Sequence, residues 1–207
     1  MKNQILKLSL LAITPLLMAT QCEPDSPAPA TIFNEFKVSI TNDSNFILND
    51  TIWVSGKVSS MAFDEEIGDS IFIEDRLRDY FSVLKLKEAD NSGNSVDALD
   101  RFTLVASLGE LEEREICPNS EVLVMGELSD DEQNYQYRLG FVPLEEGDYV
   151  LTWNFNSILT NFDRNLDIVE AYPIDGFDRA LGLNKCSITS LLLDVETSNR
   201  EFFFTVE

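Results

Sequence analysis

The chain has 207 residues, 44% of them hydrophobic, and carries 37 acidic against 15 basic residues, a formal net charge of -22. Such a composition is typical of a globular protein, and so negative a surface repels phosphate backbones, which argues against nucleic-acid binding. Histidine is absent, which excludes Ser-His-Asp and Cys-His nucleophile activation and histidine-ligated zinc. No phosphate-binding glycine loop, CxxC or HExxH motif occurs, and no cofactor is predicted.

The N-terminus has the pattern of an export signal. Lys2 and Lys7 form a short basic segment, and Leu8 to Ala19 is an apolar run of about a dozen residues, too short to span a bilayer. The stretch LMATQC that ends at Cys22 resembles the lipobox of bacterial lipoproteins, in which the cysteine becomes the lipidated first residue. We therefore predict a signal peptide over residues 1–21. Cleavage after Ala30, at a small-x-small pattern, is the alternative.

The three cysteines, Cys22, Cys117 and Cys186, support this interpretation. An exported protein with an odd number of cysteines usually leaves one thiol to explain. Lipidation of Cys22 leaves Cys117 and Cys186 free to form a disulfide in an oxidising compartment. The alternative is that both are small buried hydrophobic residues.

Residues 22–32 are rich in proline, alanine and acids and predict a semi-extended tether. The acidic Glu23 directly after the cysteine resembles the surface-export signal of Bacteroidota lipoproteins. This resemblance implies a lipid anchor in the outer membrane, with the domain either periplasmic or surface-exposed.

Strand patterns dominate residues 33–207, which we interpret as one domain. Alternating apolar and polar residues with β-branched and aromatic enrichment predict about ten short strands separated by turn clusters. The predicted strands are Phe36–Ile40, Thr51–Val58, Ser70–Ile73, Phe81–Lys87, Arg101–Ser107, Glu121–Glu127, Tyr135–Val142, Tyr149–Phe155, Ile188–Val195 and Glu201–Val206. This pattern favours an all-β sandwich or barrel. Residues 157–185 interrupt it and predict a long irregular insertion, in which Asp167–Tyr172 form either a short helix or an irregular crossing.

One motif makes the fold more specific. Leu144, Gly147 and Tyr149 form a Leu-x-x-Gly-x-Tyr stretch that resembles the corner before the penultimate strand of immunoglobulin-like and fibronectin-type sandwiches. There the tyrosine hydroxyl bonds back to the loop backbone. The resemblance implies an immunoglobulin-like antiparallel sandwich. With the N-terminal cysteine and the Phe-rich last strand, the layout also resembles small Bacteroidota envelope lipoproteins that have no assigned activity.

Candidate sites for chemistry are weak. Asp90, Ser92, Asn94 and Asp97 place oxygen atoms at alternating positions and are a weak candidate for a calcium loop, because the EF-hand glycine and glutamate are missing. A solvated hairpin turn is the favoured alternative, and no metal site is predicted. Paired carboxylates for a glycosidase would come from three acidic clusters: Asp64–Glu66, Glu110–Glu113 and Asp130–Glu132. Aromatic residues that would stack on sugars if exposed, or fill the core if buried, are Trp53, Trp153, Tyr135 and Tyr137.

These observations favour a non-catalytic binding or structural lipoprotein whose variable loops would carry recognition. A carbohydrate-binding accessory lipoprotein is the second hypothesis, and an acid-based glycoside hydrolase is the third. Beyond the membrane anchor, the expected partner is a protein or a glycan. Two short stretches, Asp50–Ile52 and Asp69–Ile71, resemble the Asp-Ser/Thr-apolar motif that Bacteroidota O-glycosylate.

Overall fold

A computed structural model describes residues 30–112, 117, 119–153, 157–161, 166–177, 180–193 and 198–207. The predicted signal peptide, Cys22 and the tether up to residue 29 lie outside the described residues. Glu113 of the second acidic cluster lies outside them as well.

The described residues form eighteen strands, one short α-helix and one 3-10 helix. The strands of the first half are β1 (Thr31–Ile32), β2 (Phe36–Ile40), β3 (Asn45–Phe46), β4 (Ile52–Ser59), β5 (Met61–Asp64), β6 (Asp69–Phe72), β7 (Arg78–Asp90), β8 (Gly93–Asp97) and β9 (Phe102–Leu108). Those of the second half are β10 (Glu110–Glu112), β11 (Glu121–Met125), β12 (Glu127–Leu128), β13 (Asn134–Pro143), β14 (Gly147–Trp153), β15 (Ser157–Asn161), β16 (Leu181–Lys185), β17 (Ile188–Leu192) and β18 (Glu201–Val206). The 3-10 helix spans Leu99–Arg101 and the α-helix, α1, spans Leu166–Glu170.

Two large sheets are stacked. The six-stranded sheet has the order β12-β13-β4-β2-β15 with β9 beside β13, and the seven-stranded sheet has the order β10-β11-β7-β14-β18-β3 with β8 beside β7. The predicted all-β sandwich is therefore confirmed. The pairing is antiparallel except at two edges, where β15 runs parallel to β2 and β3 runs parallel to β18.

The main core lies between the two sheets. In β4 the side chains of Ile52, Val54 and Val58 are buried in this core, whereas those between them alternate outward, as the period of a strand requires. Aromatic rings join the sheets: the Phe81 and Phe141 centroids are 5.7 Å apart, and those of Phe102 and Tyr149 are 5.0 Å apart. Burial of each large apolar side chain contributes roughly 1.5–3 kcal/mol, so this layer stabilises the sandwich.

A second layer covers the outer face of the seven-stranded sheet. Its members are Leu84, Leu86, Val150, Ile168, Val169, Leu181, Leu183 and Phe203. They come from β7, β14, β18, α1 and β16, so the predicted irregular insertion is in part a structured cover. Gly93 on β8 permits the close approach of β16, because a Cβ at this position, with φ of +100°, would overlap the carbonyl oxygen of Gly182.

A small third sheet, in the order β1-β5-β6, lies where the chain enters the domain. Thr31 and Ile32, predicted as the end of the tether, pair with Asp64 and Phe63 of β5. The backbone N–H of Ala30 also donates to a carboxylate oxygen of Glu65 at 3.1 Å. Strand pairing therefore extends to residues 31 and 32, in the Pro- and Ala-rich segment that composition assigned to the tether.

Candidate functional site

The outer surface of the six-stranded sheet carries three basic side chains in one row across adjacent strands. Lys37 lies on β2, Lys57 on β4 and Arg138 on β13, and all three are exposed. We call this row and the outward side chains around it the basic face. In a chain of charge -22, such a concentration of cations is unexpected from composition. The basic face is therefore the candidate functional site.

Lys37 and Lys57 are directly opposite each other in the antiparallel ladder. Side chains in such a position have their Cβ atoms about 4.5–5.5 Å apart, and like charges there are destabilising. Among the described residues, neither lysine forms an ion pair, although five basic residues elsewhere in the domain form salt bridges. The local repulsion between the two ammonium groups is therefore uncompensated by a direct carboxylate contact in this part of the chain.

Arg138 completes the row. It is opposite Ser55, and since Lys57 is opposite Gln136, Arg138 is the diagonal neighbour of Lys57. The guanidinium carbon lies 4.1 Å from the ring centroid of Trp53, which is half-buried on the same face. This cation–π contact holds the guanidinium against the indole. Such a group can offer a pair of N–H donors to a carboxylate in bidentate geometry.

A groove of about 520 Å³ runs beside the two lysines. Its lining residues are Asn34, Glu35, Lys37, Lys57, Val58, Ser59, Asn134 and Ile158. Amide and hydroxyl groups thus alternate with the cations, and the volume falls within the range of small-ligand pockets. The groove offers hydrogen-bond donors and acceptors next to positive charge.

Among the described residues, three carboxylates lie near the row of cations. Glu35 lines the groove, and Glu127 on β12 is opposite Gln136. Asp131 lies in the turn before β13, where the Ser129 hydroxyl, mainly, and the charge of Lys57, to a smaller extent, lower the pKa of its carboxyl. The outward positions of β4 are Trp53, Ser55, Lys57 and Ser59, and none is acidic.

Among the described residues, the most deeply buried carboxylate belongs to Asp79, which is 3% exposed between the two sheets. It accepts hydrogen bonds of 2.5 Å from the hydroxyls of Tyr137 and Ser157. Burial raises the pKa of Asp79 from its ordinary value of 3.8 to about 6, against the lowering effect of these hydrogen bonds. This site is sealed from solvent, so its carboxylate cannot reach a substrate as it stands.

Gly56 makes this buried arrangement possible. A Cβ at position 56 on β4 would overlap the ring of Tyr137 on the neighbouring strand. Because glycine leaves this space empty, the ring lies across β4 and its hydroxyl reaches Asp79. The alternating pattern of β4 does not explain a glycine at this position. The explanation is Tyr137, which lies on another strand.

The four residues of the predicted calcium loop do not form a shared site. Asn91 and Ser92 make a tight turn, and β8 begins at Gly93, so the stretch predicted as one long turn is a hairpin. Asp97 lies four residues after Gly93 along β8, and the rise of a strand places it about 13 Å from Gly93. Calcium needs its ligand oxygens within about 2.6 Å of the ion. The stretch is thus a β-hairpin, which is the alternative to a calcium loop at this position.

Each of the four has a local role instead. Asp90 bonds to Lys87 and to the hydroxyl of Ser92, and these contacts lower the pKa of its carboxyl. The buried side chain of Asn94 accepts from the Gly182 N–H at 2.8 Å. The carboxylate of Asp97 accepts from the Cys186 N–H at 3.1 Å. In the described part of the chain, no three acidic or cysteine residues form a group that could hold a metal ion.

The predicted disulfide between Cys117 and Cys186 is confirmed, with the two Cα atoms 5.4 Å apart. Cys117 precedes β11 and Cys186 follows β16. The bond therefore ties the cover layer to the seven-stranded sheet over a sequence separation of 69 residues.

The Leu-x-x-Gly-x-Tyr stretch forms the bond that defines a tyrosine corner. The hydroxyl of Tyr149 donates to the backbone oxygen of Glu145 at 2.8 Å. Gly147 opens β14, and Leu144 is exposed at the turn. Burial raises the pKa of Tyr149 to about 12, with the Glu145 charge as a smaller cause. The role of this corner is structural.

The aromatic candidates divide between core and surface. Trp153, Tyr135 and Tyr137 are buried, and the ring of Trp153 stacks on that of Phe81 at 4.7 Å. Trp53 alone among the four faces outward. The core interpretation therefore holds for three of them, and the exposure that sugar stacking requires is restricted to Trp53.

The acidic clusters serve turns and ion pairs. Asp64 accepts N–H groups in the turn after β5, Glu110 pairs with Arg76, and Asp131 bonds to Ser129. In the two glycosylation-like stretches, Thr51 is half-buried and Ser70 is exposed on β6.

Comparison with known proteins found no relative of this chain. No protein-family model, no curated protein and no solved structure matches this chain. Among the residues that the structure describes, none lies in a helix of the length and apolarity needed to cross a membrane.

Sequence reasoning missed the basic face. The alternation of Phe36–Ile40 and Thr51–Val58 already directs Lys37 and Lys57 away from the core. The sequence does not say that β2 and β4 are neighbours, nor in which register they pair. That register, which sets the lysines opposite each other, is a product of the tertiary fold.

Proposed function

We propose that this chain is a non-catalytic lipoprotein of the cell envelope that acts as a binding module, and that its basic face is the recognition surface for an anionic ligand. The observation that carries the proposal is the direct opposition of Lys37 and Lys57. Such an arrangement costs stability locally, and local violations of this kind are expected at functional sites. An anionic group placed between the two ammonium groups would convert the repulsion into attraction.

The proposed location rests on two features. The basic start, short apolar run and Cys22 support export and lipidation, and the Cys117–Cys186 disulfide fits an oxidising compartment. Anchoring through Cys22 would hold the domain at the outer membrane, on its periplasmic or its outer side. Recognition by a sheet face differs from the loop-based recognition expected from the sequence.

The non-catalytic part is supported by the chemistry of the buried carboxylate. A glycoside hydrolase needs two carboxyl groups converging on an accessible cleft. Asp79, whose pKa is raised as a general acid would require, is sealed between the sheets by Tyr137 and Ser157. It therefore acts in the core.

Native gel electrophoresis tests the proposal. The mature protein would be run in gels containing polygalacturonate, polyglutamate or polyphosphate, and we expect at least one of these to retard it. Lys37→Gln/Lys57→Gln should abolish the retardation. Arg76→Gln/Lys87→Gln removes the same two charges elsewhere and should leave it intact. Equal behaviour of the two variants, or no retardation by any of the three polymers, would reject the basic face as a recognition surface.

A further inference from the structure

We infer that the ligand of the basic face is a carboxylated polysaccharide, bound with one carboxylate at Arg138 and another between Lys37 and Lys57. This inference rests on the proposed function and adds the chemical class of the ligand. It draws on three properties of the surface: the spacing of its cations, the amide and hydroxyl groups beside them, and the acids around them.

The cations form two separate anion sites. Lys37 and Lys57 are side by side, whereas Arg138 is one diagonal step away, about 7–8 Å along the sheet from Lys57. Arg138 is also held against Trp53 at 4.1 Å. A ligand that satisfies both sites must carry negative charges that are separated by a stretch without charge.

Neutral hydrogen-bonding groups fill the space around these sites. Asn134 and Gln136 face outward on β13, and Ser59 is opposite Asn134 on β4. Amides and hydroxyls donate and accept at once, which matches sugar hydroxyls. Gln136, opposite Lys57, and Ser55, opposite Arg138, flank the diagonal from Lys57 to Arg138, so a sugar ring between two carboxylates would meet these two side chains. Ser59 and Asn134 lie on the other side of the lysines and line the groove of about 520 Å³, where a saccharide that continues past the lysines would meet them.

The acidic margins argue against densely charged polymers. Glu35, Glu127 and Asp131 surround the row of cations, and the whole chain is strongly negative. A long polyanion such as polyphosphate or nucleic acid would carry further charges past the three cations, where these acids would repel them. A carboxylated saccharide also carries hydroxyl groups on every ring, and these can face the acidic residues without repulsion.

An acidic peptide is the competing ligand. One recurring mode of peptide binding adds a strand to a free sheet edge, where main-chain hydrogen bonds supply affinity. The basic face lies across β2, β4 and β13, which all have neighbours on both sides. Recognition here must come from side chains above the sheet, so the saccharide is favoured.

Isothermal titration with three oligomers of equal length tests the inference: tetragalacturonate, the neutral maltotetraose and tetraglutamate. We expect tetragalacturonate to bind the mature protein at least about tenfold more tightly than either of the others, the equivalent of one charge-assisted hydrogen bond. Arg138→Gln should weaken that binding by about tenfold, and Lys37→Gln/Lys57→Gln by at least as much. Arg76→Gln/Lys87→Gln, the control, should bind as the parent does.

The outcomes separate this inference from the proposed function. Equal or tighter binding of tetraglutamate would overturn the saccharide class and leave anion recognition by the basic face in place. Equal binding of maltotetraose would show that the cations do not select the ligand. No binding of tetragalacturonate would overturn the inference, and if the gels also show no retardation, the proposed function fails with it.

Discussion

Tyr137 on the six-stranded sheet donates its hydroxyl proton to the carboxylate of Asp79 on the seven-stranded sheet, with Oη and Oδ2 2.5 Å apart. Ser157 supplies a second hydroxyl to the other carboxylate oxygen, also at 2.5 Å. The two sheets are thus joined by a buried polar contact inside an otherwise apolar core, and a buried carboxylate without a cation costs stability when it is ionised.

Asp79→Asn should stabilise the protein at pH 7. Burial raises the pKa of Asp79 from 3.8 to about 6, so the folded state holds this proton more tightly than the unfolded chain. Asp79 therefore contributes most to the free energy of unfolding below pH 3.8, where it is protonated in both states, and this contribution is lost as the pH rises to about 6. The variant should gain up to about 3 kcal/mol at pH 7, and little at pH 3.5, in urea unfolding.

Asp131→Asn is the matched control for that experiment. Its carboxyl is exposed, and hydrogen bonds lower its pKa, so the variant should lose a little stability at neutral pH rather than gain it. The difference in the free energy of unfolding between wild type and Asp79→Asn should change between pH 3.5 and pH 7. A difference that stays constant would contradict the assigned role of the Asp79 carboxyl.

Gly56→Ala should destabilise the protein by about 1–3 kcal/mol, the usual cost of overpacking a core. The added methyl group overlaps the Tyr137 ring, so the cost should shrink when Tyr137 is truncated to alanine. A double-mutant cycle measured by urea unfolding gives the coupling free energy. A coupling near zero would mean that the glycine is present for another reason.

Loss of the Cys117–Cys186 disulfide, in the Cys117→Ala/Cys186→Ala variant, should lower stability by about 4 kcal/mol in the loop-entropy model. Titration of thiols in the unfolded, unreduced mature protein provides the direct check on the bond. With Cys22 lipidated, no thiol should react. Two reactive thiols would reject the bridge in the native protein.

Lipidation at Cys22 is predicted from the basic start, the apolar run and the lipobox-like stretch. Mass spectrometry of the mature N-terminus should find a diacylglyceryl-modified Cys22, and Cys22→Ser should abolish the modification. A mature protein that begins at Thr31, after the alternative cleavage pattern, would refute the anchor and the tether together.

Local patterns predicted much of the fold and little of the candidate site. The strand Glu201–Val206 is found with the predicted bounds, because its alternation and β-propensity are local properties. Strand β16 was missed, because Leu181 and Leu183 are buried by packing on the outer face of the seven-stranded sheet, a contact that no local pattern reveals. The opposition of Lys37 and Lys57 depends on a pairing register that no local pattern encodes.

Amine-reactive footprinting with mass spectrometry tests most directly whether recognition lies on the basic face. The mature protein would be acetylated with and without saturating tetragalacturonate, and the reactivity of each lysine compared. We predict that Lys37 and Lys57 become protected, whereas Lys87, which pairs with Asp90 on the distant hairpin, reacts as before. Unchanged reactivity of Lys37 and Lys57 under conditions where titration shows binding would contradict the account.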